Sequence, residues 1–531
     1  ATAAVAVFTY VLVGRMKKSK SATEEYFTGG RALTWPMVAG SLLLTNLSTE
    51  QLVGLNGDVF GDKALVGVAW EALAAFAMIA TALVFLPTYL ASGFTTTPAF
   101  LEKRFDKTTR SMVSGLFLFG YVTVLLPVVL YTGSLALITM FGLNMPLYIV
   151  VAIIGVLGSS YAIFGGLKSV AVSDTLNGIG LLIGGLAIPF LALAALGGGS
   201  FFEGLATLGR DNPQYLAVLA QENIDGKTVT VPWPTLFTGM MFIQVFYWST
   251  NQVIVQRAMA ARSLAEGQKG VLFASGMKLL GPIMLCLPGI IALHMPDLNI
   301  GKQDQVYGAV VRHVLPDWSL GLFAAVLVGS ILSSFNSALN SASTLFSLQF
   351  YRGYINPSAS GEETVKIGKY FGILLAVASI LLAPQLAQME SIFQYLQKVN
   401  GLYSVPIIGI FLLGITTKHV PALAAKIGMI VGILFYSFFT FVNIKDVIPF
   451  FANTDGDLHW LHGYFISFLA SIGVMLIIGH LAPKTKEEIA VSEEKTPAPV
   501  DMTPWPMAKK VSVGIFGATV AIYLVLTWAA G

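Results

Sequence analysis

Charge is scarce in this chain and cysteine is almost absent. Only 11% of its 531 residues are Asp, Glu, Lys or Arg, against about 25% in soluble proteins, so it lacks the polar cover of an ordinary water-facing surface. The single cysteine, Cys286 in GPIMLCLPGII, excludes an intramolecular disulfide and a thiolate metal centre, and it reads as a small hydrophobe. The six histidines are scattered: His294, His313, His419, His459 and His462 fall near span ends or in loops, and His480 is alone in its span. They make no ligand spacing and no nucleophile pair, so the chain does not read as an enzyme. A net charge of +3 gives no reason to expect nucleic acid. No Walker-type loop for ATP is found.

Hydrophobic residues, by contrast, make up 55% of the chain, and the mean hydropathy is +0.75. Apolar stretches of about 20 residues recur along nearly the whole length, each long enough to cross a hydrocarbon core of about 30 Å as a helix. The reading is an all-α integral membrane protein of about fourteen transmembrane helices. Their expected limits are 1–15, 35–57, 66–92, 111–142, 146–165, 174–197, 234–256, 267–294, 317–350, 365–386, 392–416, 421–443, 461–482 and 511–529. ATAAVAVFTYVLVG is taken as the first of these spans, clipped at its beginning and followed by the basic flank RMKKSK, with no cleavable signal peptide. If that flank is cytoplasmic and the spans alternate, the inside loops hold roughly two dozen basic residues and the outside about six, a strong positive-inside bias. The even count places both termini outside. The segment from Lys484 to Lys510 mixes charge with proline and is expected to be a flexible cytoplasmic connection.

Three spans are polar where lipid should be. TNLSTEQ interrupts the second span with Asn46, Ser48, Thr49, Glu50 and Gln51. Five spans later Gln244, Tyr247, Trp248, Ser249, Thr250, Asn251 and Gln252 interrupt the seventh. Irregular backbone at membrane depth is tolerated only against protein or a water-filled cavity, and two interrupted spans in corresponding positions of two five-span halves point to a secondary transporter with a midplane site. In GSILSSFNSALNSASTLFSLQF, Ser330, Ser333, Ser334, Ser337 and Ser341 share one helical face. Such a stripe serves close helix packing; hydroxyls opposite the freed carbonyls of a broken helix also supply the oxygen ligands a hard cation needs. That makes Ser333 and Ser334 the place to look for sodium.

Ionisable groups within spans are expensive and are functional candidates by default. Glu50, Glu71 and Lys278 belong to this set, with Lys278 read first as a structural partner of a carboxylate or hydroxyls. Lys398 is left unassigned, and no Arg is found inside a span to meet a substrate carboxylate. Asp174, in VAVSDTLNGIG, either N-caps the sixth span or attracts sodium on its way out.

TNLSTEQLVGL, YWSTNQVIVQR, SSFNSALNSASTLFS, FLEKRFDKTTR and FQYLQKVNGLYSVP resemble the solute:sodium symporter family, in its sodium/galactose and sodium/glucose branch. The likeness runs over nearly the whole chain. It implies a LeuT-like fold: a first span and basic loop over 1–34, one inverted five-helix repeat over 35–197, an outside loop and second repeat over 198–416, and three further helices over 417–531 with the linker at 483–510. It implies sodium-coupled import of a galactose- or glucose-like sugar by alternating access; an anionic, substituted-sugar or amino-acid-like solute is the alternative. Sodium would be held by the carbonyls of Leu44 and Leu47 with Ser330, Ser333 and Ser334. Sugar would be held by Gln51, Glu71, Gln244, Lys278 and Gln397, with Asn46 and Glu50 supporting the break. Tyr247 would gate the inside, Leu55, Trp70 and Phe393 the outside, and Asp174 would lie on a sodium exit route. The implied setting is a bacterial inner membrane, with the lipid bilayer, sodium and sugar as partners and no obligate protein partner. Two positions depart from the branch: Gln244 stands where its bacterial galactose carriers have Asn, and Ala74 where they have Ser.

Overall fold

The computed structural model describes residues 26–530 except 28, 390, 443–457, 494–497 and 499. The expected first span therefore lies outside the described residues. Those residues form helices and loops, with only isolated bridges such as Leu33 to Ala261 in place of sheet. Among them nine helices are long and apolar enough to cross a membrane, and one bent pair, Leu264–Lys278 with Gly281–Ala292, adds a tenth. The chain is a multi-pass membrane protein. The expected second and seventh spans fall outside that count because each is split into short halves.

The helices that frame the site are α1 (Trp35–Asn46), α2 (Thr49–Asp62), α3 (Val68–Ala80), α4 (Lys107–Gly120), α5 (Leu126–Phe141), α6 (Leu147–Leu196), α7 (Gly239–Ser249), α8 (Gln252–Met259), α9 (Leu264–Lys278), α10 (Asp317–Leu345) and α11 (Ile392–Thr416). Helix α1 begins with proline in its first turn, where a missing N–H costs nothing. It stops at Leu47 and Ser48, whose ψ values of 72° and −178° leave the helical region, and α2 resumes at Thr49. The second break is at Thr250 and Asn251, where Asn251 turns extended and caps α8 by accepting from the Val253 N–H at 3.2 Å.

Two expectations differ from the structure. Spans 146–165 and 174–197 were expected to be separate, but helical bonding is continuous through the 50 residues of α6, Pro189 included. The linker is also not free throughout. The Leu264 N–H donates to the Asp501 carbonyl at 2.9 Å and the Trp505 N–H to Gln268 Oε1 at 2.8 Å, so its far end is tied to α9.

The centre of the bundle is polar as well as apolar. Every residue of α10 from Ser333 to Leu345 is buried, including four of the five stripe serines, and Ser330 just before them is buried too. At the end of the bundle away from the basic loops, α2 closes on α11. A Cβ on Gly54 would fall 2.6 Å from that of Phe393, so only glycine permits this approach. Leu55, Trp70 and Phe393 are all buried there, with the Trp70 and Phe393 rings edge to face at 5.2 Å.

Candidate functional site

The two breaks dispose of their freed backbone groups differently. At the second, the Trp248 carbonyl accepts from Thr81 Oγ1 at 3.0 Å and the Ser249 carbonyl from Tyr89 Oη at 2.8 Å. That break is closed by neighbouring side chains. At the first, the Ser48 N–H turns to the Asn46 carbonyl at 2.8 Å, so the Leu44 carbonyl loses the donor that a continuous helix would give it. The Leu47 carbonyl accepts only a hydroxyl, from Ser330 at 3.2 Å. Ser334 Oγ is buried with no partner. Leu44, Leu47, Ser330 and Ser334 thus offer buried, under-used oxygens between α1 and α10, a donor set suited to a hard cation. Ser333 is held apart from them: its hydroxyl donates to Asp174 Oδ1 at 2.5 Å.

Asp174 is not a helix cap. It lies within the unbroken α6, fully buried, and also accepts from Ser41 Oγ of α1 at 2.7 Å, so its carboxylate joins α1, α6 and α10. The capping alternative fails because the helix has no start at that point.

Beside the first break is a small cavity lined by polar and aromatic side chains. Its walls bring together Asn46 and Gln51 of α1 and α2, Trp70 and Glu71 of α3, Gln244 and Tyr247 of α7, Lys278 of α9 and Gln397 of α11. Lys278 is completely buried; its Nζ pairs with Glu71 and donates to Asn46 Oδ1. Gln244 Nε2 donates to the Trp70 carbonyl at 2.8 Å, and Asn46 Nδ2 to Tyr247 Oη at 3.3 Å. Gln51 Oε1 and Trp70 Nε1 are buried with no partner. The cavity therefore keeps an acceptor and a donor free while its one cation is already neutralised. Glu50 stands outside this wall, buried, with Oε2 unpartnered. Tyr247 is half-buried, whereas Leu55, Trp70 and Phe393 are buried.

The profile of the sodium:solute symporter family matches residues 26–432. The chain belongs to that family. It is 40% identical over 532 residues to the "Uncharacterized symporter YidK" of Escherichia coli K12, covering 98% of this chain and 89% of that protein. The sodium/glucose cotransporter of Vibrio parahaemolyticus is 31% identical, over 84% of this chain and 85% of its own. A solved structure of a Na+-coupled sialic acid symporter superposes with a TM-score of 0.75 at 21% identity, covering 91% of this chain and 97% of that one. The symporter is therefore a sodium-coupled solute transporter, not an enzyme, and has the LeuT-like fold; sodium is its co-transported ion.

Sequence reasoning passed over several residues that the symporter places at the site. Trp248 lines the cavity with its ring 5.6 Å from Lys278 Nζ, although only Tyr247 of that pair was given a role. Asn400 and Ser404 line it too, three and seven residues beyond Gln397, a spacing that puts all three on one helix face. Arg257 is the larger omission. It falls one residue past the expected seventh span, yet it is fully buried and donates from Nε to Thr45 Oγ1 at 3.1 Å. Lys398, left unassigned, is exposed.

Proposed function

We propose that this symporter imports a neutral polyhydroxylated solute, a hexose or a close relative, together with sodium. One observation carries the reading: the single cation of the cavity, Lys278, is paired with Glu71 and bonded to Asn46, so a substrate carboxylate would meet no free positive charge. A carboxylated solute would have to break a buried ion pair, and that is costly. Hydroxyls suit the remaining groups, since amides accept and donate and an indole N–H donates. In this reading Gln51, Gln244, Gln397 and Trp70 contact the solute, Lys278 and Glu71 hold the wall, and Tyr247 lies over the pyranose on the inner side. Asn46 and Glu50 support the break.

Sodium binds in this proposal at Leu44, Leu47, Ser330 and Ser334, with Ser333 exchanging between the ion and Asp174 on the exit route. The basic loops face the cytoplasm of a bacterium across its inner membrane, both termini lie outside, and the two five-span halves form inverted repeats. Both ligands use the broken span α1–α2, so each stabilises a geometry that the other requires. One charge crossing about 100 mV contributes about 2.3 kcal/mol, and a tenfold sodium gradient about 1.4 kcal/mol. Their sum supports roughly 500-fold accumulation at one sodium per solute.

The test is uptake of radiolabelled galactose and glucose into proteoliposomes, with inward sodium and with potassium in its place. Sodium-driven accumulation, competed by neutral sugars and not by sugar acids, is expected. Competition by sugar acids alone would replace the neutral substrate with an anionic one.

A further inference from the structure

Arg257 is a buried charge whose countercharge is not in contact with it. Its guanidinium donates from Nε to Thr45 and from one terminal nitrogen to the Val253 carbonyl, while Nη2 has no partner. Among the described residues no carboxylate lies within ion-pair distance of it. A fully buried guanidinium left in this state is costly, so the surroundings must make use of its charge.

A buried carboxylate, Asp174, is held between α1 and α10. The two charges hold the same pair of helices one turn apart. Asp174 is bonded to Ser41 of α1 and Ser333 of α10, and Arg257 to Thr45 of α1, whose hydroxyl lies 3.4 Å from Ser337 of α10. Ser41 and Thr45 are four residues apart, as are Ser333 and Ser337, so four hydroxyls form one cluster holding a carboxylate and a guanidinium. The cluster adjoins the Leu47 carbonyl and Ser330. A sodium ion there and the guanidinium of Arg257 are like charges facing a single buried carboxylate.

We propose that Arg257 is a tethered counter-cation that competes with sodium for Asp174, and so keeps sodium binding weak enough for the ion to leave. With sodium bound, Asp174 has two cations near it; when sodium departs, Arg257 alone balances the carboxylate and no bare negative charge remains to hold the ion back. Arg257 is thus a positioning residue acting through Asp174. The inference rests on the sodium assignment proposed above.

The experiment measures protection of the purified symporter against thermal unfolding as sodium is titrated at constant ionic strength with choline. Arg257→Gln should tighten the half-saturating sodium concentration about tenfold and slow turnover in proteoliposomes, while Asp174→Asn should weaken it about tenfold. The double variant, with both buried charges removed, should return close to wild type. Weaker protection in Arg257→Gln would mean a merely structural arginine and overturn the proposal. If Arg257→Gln does not fold, equal sodium requirements in Asp174→Asn and the double variant would overturn it instead. Ser334→Ala separates the two readings: unchanged protection there removes the sodium site itself, whereas weakened protection with no tightening in Arg257→Gln removes only the role of the arginine.

Discussion

Gln244 reaches across the cavity to donate its Nε2 to the backbone carbonyl of Trp70 at 2.8 Å. This commits one N–H of a wall residue's amide to the neighbour of Glu71. Asparagine, one methylene shorter, would not span the same gap. In Gln244→Asn the N–H is released to the solute, and the solute KM should change about fivefold or more, an effect of about 1 kcal/mol, with altered preference among hexose epimers. The sodium requirement should move less than twofold. Competition by a panel of epimers against labelled sugar reads the change; an unchanged panel would mean that position 244 does not face the solute.

Lys278 and Glu71 are completely buried as a pair. Removing one partner strands a charge, at a cost of about 3–5 kcal/mol, whereas removing both replaces the pair with apolar packing. Lys278→Met and Glu71→Leu should each lower the thermal unfolding temperature in detergent by more than the double variant does. Additive losses would show that the two groups do not act as a pair.

Substrate and ion groups should separate by mutation. Gln397→Ala is expected to raise the solute KM about tenfold with little change in the sodium requirement. Ser334→Ala, which removes a buried hydroxyl with no partner, should do the reverse. Equal losses of both in either variant would indicate a folding defect, and circular dichroism with size exclusion would confirm it.

The polar interruptions are the features that can be read from the sequence, because a chain this apolar has few reasons to place Asn46, Gln51 or Gln244 at membrane depth. Helical spacing also carries information that was left unused, since Asn400 and Ser404 follow Gln397 on one face. What periodicity cannot supply is a residue's partner. Asp174 looks like a helix start because charge and Ser173 cluster there, but the helix passes straight through and the carboxylate serves Ser41 and Ser333, 133 and 159 residues distant in sequence. Arg257 escapes hydropathy for a related reason. It is one residue beyond an apolar limit, and its burial comes from how α8 folds back beside α1, which no local window contains.

A pH dependence of the proposed outer closure turns on Asp304, in the short helical turn Gln303–Gln305 outside the spans, beside the tie that Asp58 makes. Asp58 accepts from Ser391 Oγ at 2.8 Å and Gln394 Nε2 at 2.7 Å, and so ties the end of α2 to the start of α11 just past the contact of Gly54 with Phe393. Burial, then the charge of Asp58, pushes the Asp304 carboxyl up to about 7, opposed by a hydrogen bond from the Ile392 backbone and by the charge of Lys302. Opening would hydrate Asp304 and return it towards the ordinary value near 4. The closed form then binds more protons than the open form between about pH 4 and 7, so acid favours closure across that window and alkali favours opening. Spin labels introduced by Phe60→Cys and Gln388→Cys in a Cys286→Ala background should report a longer mean distance at pH 8 than at pH 5. Asp58→Asn removes the charge that raises Asp304, so it should flatten the profile. A distance that lengthens on acidification would reverse the assigned linkage and place proton uptake with opening.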